Sequence, residues 1–143
     1  MAPLVASDPA GFALWKAIDL RDYEKILAPK IDDTKFASQV LGAFGSHTMQ
    51  ISHREGNGPY EVHQSQADLI IVQTGAATLL VGGMIVDGKT TAPNEVRGSA
   101  IQGGERKQLR PGDVVHIAPN TPHQLQVDTG KQFTYTVMKI DSK

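Results

Sequence analysis

From Phe36 to Ile140 every apolar run is short and is cut off by a turn built on Gly, Pro, Asn or Asp. A helix needs about ten residues of 3.6-period pattern, whereas a strand needs only four to eight, so this punctuation admits strands and excludes long helices. Phe36 to Ser52 reads as two strands broken at Gly42 and Gly45, and "REGNGPYE" as a turn. Leu69–Val72 and Ala77–Val81 are strands on either side of Thr74-Gly75. Met84–Val86 leads into an Asp87-Gly88 hairpin signal, and Thr90 to Glu95 into a polar loop. Arg97–Ile101 and Lys107–Leu109 flank Gly103-Gly104 as a further hairpin, Val114–Ile117 is a strand, and Phe133–Ile140 closes the chain. Many short strands without crossover helices mean an all-β sandwich or barrel, not a parallel α/β sheet.

The segment before Phe36 is different. Phe12, Trp15, Ile18, Tyr23, Ile26 and Leu27 recur at helical spacing from Pro9, with Asp8 as N-cap, and Pro29 ends the pattern. Residues 1–35 are therefore expected to form a helical and extended segment packed on a barrel of residues 36–143. The polar face of that helix has no basic bias, which disfavours a membrane-surface role. No apolar run approaches the ~20 residues of a membrane span. The start of the chain lacks a basic, apolar leader pattern, so a cytoplasmic location is the expectation. Fourteen Lys and Arg against fifteen Asp and Glu give a net charge of −1, which argues against a nucleic-acid partner. The absence of cysteine excludes disulfides, thiolate metal ligands and a cysteine nucleophile.

Two stretches carry the chemistry. "VHQSQADLIIVQTG" places His63 before a buried strand, with Asp68 and then Gly75 downstream; "PGDVVHIAPNTPHQ" runs turn, strand, turn, histidine and ends at His123. In that order and spacing the chain resembles a cupin, the double-stranded β-helix or jelly roll that closes around a ligand cavity. Gly112 and His123 match the second family motif, while Ala118, Asn120 and Val127 depart from it. In the first motif His63 stands at the second histidine, Glu61 replaces the first, and Asp68 replaces the glutamate.

Alternation puts Glu61, His63 and Ser65 on one face, with i and i+2 roughly 6.6 Å apart, close enough to share an ion. His63, His123, Glu61 and Asp68 would give two imidazoles and one or two carboxylates. That set suits Fe, Mn, Ni or Zn as a divalent cofactor better than Cu(I), which prefers sulfur. The opposing reading leaves His63 and His123 as hydrogen-bonded residues of a metal-free pocket, with Glu61 and Asp68 in turns. The altered-ligand reading is preferred.

His47 and Met49 share parity and are expected to face the cavity; Ser65, Gln73 and Gln124 are its other polar candidates. His53 is expected at the surface and His116 in a core or interface; Arg54 and Arg97 could hold an anionic substrate, with surface solvation the preferred reading for each. Aromatic residues make up only 6% of the chain, so the cavity should be small and aliphatic. The resemblance implies a small-molecule ligand and, as function, a metal-dependent dioxygenase, isomerase or decarboxylase, with oxidoreductase chemistry favoured. The alternative is a metal-free binding or sensing module. Homodimerisation is also implied, and Phe12 and Trp15 on the N-terminal segment are candidates for that contact.

Overall fold

The computed structural model describes residues 7–142. Helix α1, Ala17–Leu27, is followed by one 3₁₀ turn at Ala28–Lys30. It begins eight residues later than its apolar spacing suggests, because Pro9 to Gly11 forms a turn. Gly11 adopts φ +79°, and the Phe12 amide donates to the Pro9 carbonyl. Lys16, not Asp8, stands at the N-cap.

The remainder is β structure. The first strands are β1 (Phe36–Ala43), β2 (His47–Arg54), β3 (Tyr60–His63), β4 (Gln66–Gly75) and β5 (Ala77–Val81). Next come β6 (Met84–Val86), β7 (Lys89–Ala92), β8 (Glu95–Gly98), β9 (Ala100–Gln102) and β10 (Glu105–Leu109). The chain closes with β11 (Val114–Ile117), β12 (His123–Gln126) and β13 (Phe133–Asp141). One sheet runs β1-β2-β13-β4-β11 and a second β10-β5-β12-β3-β8-β7, with β6-β9 as a small outlying pair. This is an all-β jelly-roll barrel with a short helical N-terminal segment. Among the described residues no helix is long and apolar enough to cross a membrane.

Two local expectations are corrected. The Asp87-Gly88 and Gly103-Gly104 turns do not close hairpins between their flanking strands; β6 pairs with β9, and β10 pairs with β5. The "loop" at Thr90 to Glu95 is itself the β7–β8 hairpin, turning through Asn94 at φ +61°. Polar residues suit both strands because this hairpin is a sheet edge facing water on one side.

The core lies in two layers. Ile70, Val72, Leu79, Ile117, Leu125, Phe133 and Val137 pack between the sheets. On the outer face of the first sheet, Ile51 and Ala37 are buried beneath Leu27 of α1, with Tyr23 and Ile31 against them. That second layer overturns the expected orientation of β2. Met49 and Ile51 face the helix side, and Gln50, Ser52 and Arg54 face the cavity. His47 follows Met49 outward and stacks on Phe44, its ring centroid 5.3 Å away. His53 is buried on the same side, bridging Thr134 Oγ1 and Glu55 Oε2 at 2.8 Å each, so it is not a surface residue. His116 is exposed on the outer face of edge strand β11, so it is not a core residue.

Candidate metal centre

Strand register assembles the site. β3 lies between β12 and β8, with Glu61 opposite both His123 and Arg97, and His63 opposite Glu95. On the other sheet Asp68 of β4 lies opposite Lys139 of β13. Directly opposed side chains sit ~5 Å apart at Cβ, so each pair is brought into contact by pairing alone. Alternation along β3 then turns Glu61 and His63 to the same side, and the two sheets bring Asp68 against them.

Glu61, His63 and His123 each present a donor atom within 4.8 Å of the others. Glu61 Oε1 lies 3.6 Å from His63 Nε2 and 3.5 Å from His123 Nε2. Asp68 Oδ2 approaches the same two nitrogens, at 3.2 and 3.8 Å, while its Oδ1 accepts from Lys139 Nζ at 3.3 Å. All four sequence candidates for metal ligation therefore converge on one point.

The imidazoles are oriented from behind. His63 Nδ1 donates to Glu95 Oε2 at 2.5 Å, and His123 Nδ1 donates to the Thr121 carbonyl at 2.9 Å. A carbonyl can only accept, so the His123 proton sits on Nδ1 and its Nε2 lone pair faces the site. Among the described residues His63 Nε2 is buried without a hydrogen-bond partner, with Asp68 Oδ2 3.2 Å away but not aligned to accept. Buried polar atoms are rarely left unpaired, and a carboxylate hydrogen-bonded to the far nitrogen is the usual support of a metal-ligating histidine. The donor set thus fits a divalent ion on its own chemistry. Glu95→Ala is expected to weaken divalent-metal affinity by about 10- to 100-fold, with Glu95→Gln milder because its amide oxygen still accepts; calorimetric titration with Zn(II) reads both.

The electrostatics point the same way. Burial would raise the Glu61 and Asp68 carboxyls, but the histidines, and Lys139 beside Asp68, outweigh it and hold both below the ordinary range. Burial would lower His63, yet Asp68 and Glu61 override it and hold the ring above 6.5. A proton and a cation therefore compete for the same Nε2.

The centre opens into a cavity of about 300 Å³. Ile70, Leu125 and Val137 form an apolar wall, and Thr91, Ala92, Glu95 and Arg97 of the β7–β8 hairpin line another side. The aliphatic character expected from composition holds for that wall. None of His47, Met49, Ser65, Gln73 and Gln124 lines the cavity. Gln73 lies on the outer face, donating to Thr136 Oγ1 at 3.3 Å, because the inward positions of β4 are Asp68, Ile70 and Val72. Gln124 is buried but donates to the Gly58 carbonyl at 3.0 Å, while Ser65 sits in the β3–β4 turn and its carbonyl accepts from Ser142. Glu95, Lys139 and Tyr135 were not singled out as site residues by sequence, since cross-strand partners are not visible before register is known; Arg54, for which surface solvation is the preferred reading from sequence, lines the cavity. One signal was available for Arg54: Gln50, Ser52 and Arg54 form a polar parity that the covered Met49 and Ile51 do not.

No family model matches this sequence, and no curated protein sequence matches it. Solved structures do match its fold. A cupin-2 domain protein from Rhodospirillum rubrum aligns with TM-score 0.56 at 16% identity, over 76% of this chain and 63% of that one. A protein with a double-stranded β-helix domain from Klebsiella pneumoniae aligns with TM-score 0.57 at 15% identity, over 78% and 82%. The DMSP lyase DddQ from Ruegeria pomeroyi aligns with TM-score 0.52 at 18% identity, over 74% of this chain and 47% of its own length. The chain thus spans less than two thirds of the first and last of these. The likeness is one of fold: this chain has the cupin double-stranded β-helix.

Proposed function

We propose that this cupin-fold chain is a metal-dependent enzyme acting on a small organic molecule held in the barrel cavity. The observation that carries this reading is the buried, unpartnered His63 Nε2, aimed at the point where His123, Glu61 and Asp68 converge. His63, His123 and Glu61 would hold a divalent Fe, Mn, Ni or Zn ion, with Asp68 a further donor through Oδ2. Such an ion supplies Lewis acidity toward a substrate oxygen or an open position for oxygen chemistry. Dioxygenase chemistry is favoured over isomerisation or decarboxylation, because two histidines with a carboxylate is the donor set of non-haem iron oxygenases.

The chain's own groups do the rest. Glu95 and the Thr121 carbonyl keep protons on the two Nδ1 atoms, so both Nε2 atoms stay turned inward. Lys139 neutralises one of the two buried carboxylates, limiting their mutual repulsion. Elemental analysis of untagged protein tests the reading; about one ion per chain is expected, and failure to take up Fe, Mn, Ni or Zn after reconstitution would defeat it.

A pH dependence follows from the competition at His63. Because Asp68 and Glu61 hold its pKa above the ordinary histidine range, proton competition for the ring deepens as pH falls. Metal affinity should therefore drop on acidification, by about tenfold per unit for each proton displaced, in titrations between pH 8 and 5. An affinity flat across that interval would contradict ligation by His63.

The Lys139–Asp68 pair favours a second reading, a metal-free binding module, since it offsets buried charge with no ion present. Thermal stabilisation by small organic ligands in metal-stripped protein, with no effect of added metal, would select it. Homodimerisation belongs to the same proposal: Phe12, Leu14 and Ile18 are exposed and Trp15 stands edge-on to Phe44. Sedimentation of chains with and without residues 1–30 measures whether that segment contributes.

A further inference from the structure

We propose that the buried guanidinium of Arg54 docks the carboxylate of a small organic acid, whose remainder lies along the Ile70, Leu125 and Val137 wall toward the metal centre. The proposal rests on the reading of this cavity as a metal-assisted site and names its substrate class.

The charges lining the cavity form a pattern with one member left over. Three carboxylates, Glu61, Asp68 and Glu95, and three cations, Arg54, Arg97 and Lys139, line it. Arg97 lies 3.8 Å from Glu61, Lys139 lies 3.3 Å from Asp68, and Glu95 is taken by His63. Of these three cavity cations Arg54 alone has no carboxylate within salt-bridge distance among the described residues, although it is only 9% exposed. A guanidinium is always charged, and burying it without an anion is costly.

Its surroundings hold it in place without neutralising it. Arg54 Nε donates to the Tyr135 hydroxyl at 3.0 Å, and its Cζ sits 4.2 Å over the Phe36 ring. Gly58 makes room for the flat group: a Cβ there would come within 3.0 Å of Cζ and 3.1 Å of Nη1, and Gly58 has no positive φ that would otherwise require glycine. One N–H of the fork is thus engaged by Tyr135, and the outer edge of the fork matches a carboxylate bidentately.

The distance to the metal centre sets the ligand's length. Tyr135, which holds Arg54, and Lys139, which holds Asp68, are four residues apart on β13, about 13 Å along the strand. Both side chains reach into the cavity, so a short-chain acid bridges the remainder. One arginine facing an apolar wall matches a carboxylate with a hydrocarbon chain better than a phosphate, which needs more donors.

The test uses metal-stripped full-length protein, so the outcome does not depend on whether the metal reading holds. Butyrate, butyramide and inorganic phosphate are titrated calorimetrically or by NMR. Butyrate should bind, butyramide at least about tenfold more weakly, and Arg54→Gln should lose at least about tenfold in butyrate affinity. Arg54→Lys should retain part of it, and Gly58→Ala should lose affinity by displacing the guanidinium. Equal binding of acid and amide would overturn the proposal. So would undiminished butyrate binding by Arg54→Gln, tighter binding of phosphate than butyrate, or no butyrate binding at concentrations on the order of 10 mM. If Arg54→Gln fails to fold, the acid–amide comparison in the unaltered chain decides. Failure here with metal uptake intact removes the substrate class alone; loss of metal uptake with butyrate selectivity intact removes the metal reading alone.

Discussion

His63→Ala is expected to weaken divalent-metal binding by more than about 100-fold, the largest loss of any single change at the centre. Among the described residues His63 Nε2 is the one buried side-chain nitrogen without a hydrogen-bond partner, and its ring is packed 5.0 Å from that of His123. Removing the ring takes away a ligand and also releases Glu95, whose role at the site is to hold Nδ1. His123→Ala should act in the same direction, because Glu61 and Asp68 each touch both imidazoles. Titration with Zn(II) or Mn(II), alongside circular dichroism to establish that the variants fold, measures the effect. Wild-type stoichiometry and affinity in both variants would leave the metal reading without support.

Gly75→Ala should destabilise the fold by about 3 kcal/mol or more, lowering Tm by roughly 10 °C. Two independent costs combine there. Gly75 adopts φ +77°, where an L side chain is strained, and a Cβ would lie 2.0 Å from the Gln132 carbonyl oxygen. That oxygen is backbone, so it cannot swing aside. It also belongs to the chain entering β13 opposite Gly75, where Phe133 pairs, so yielding would disturb the longest strand contact of the barrel. Gly112 is the matched comparison: its φ is +91° but nothing lies within 4 Å of its would-be Cβ. Gly112→Ala should therefore cost only the conformational part, about 1–2 kcal/mol. Equal Tm values for the two variants would show that the close approach at Gly75 is unimportant.

That contrast also shows how much a motif conveys. Gly75 and Gly112 were both legible as turn residues of the cupin pattern, and both turn the chain through positive φ. Only the folded chain distinguishes them, because the Gln132 carbonyl comes from a segment more than fifty residues away. The metal candidates behave differently. Glu61 and His63 share a face by alternation alone, and His123 and Asp68 came from motif position; the structure brings all four together.

His47 and Met49, both expected in the pocket, lie outside it for one reason. Alternation along β2 separates two faces but does not say which is inward. Met49 and Ile51 are apolar because α1 covers the outer face, so the apolar side of this period-two pattern marks the helix side and not the cavity side. Once the helix occupies that side, Gln50, Ser52 and Arg54 must face inward, and a residue expected in solvent becomes a buried cation.

By itself the sequence determined the class of fold, through short runs and turn residues, and the four donors, through spacing that acts over a few residues. Tertiary structure alone decided which strands pair, and with them Glu95 behind His63, Lys139 beside Asp68 and Arg54 under Tyr135. Those contacts join residues 32 to 81 positions apart, set by register and by which face a helix covers, and local sequence alone fixes neither.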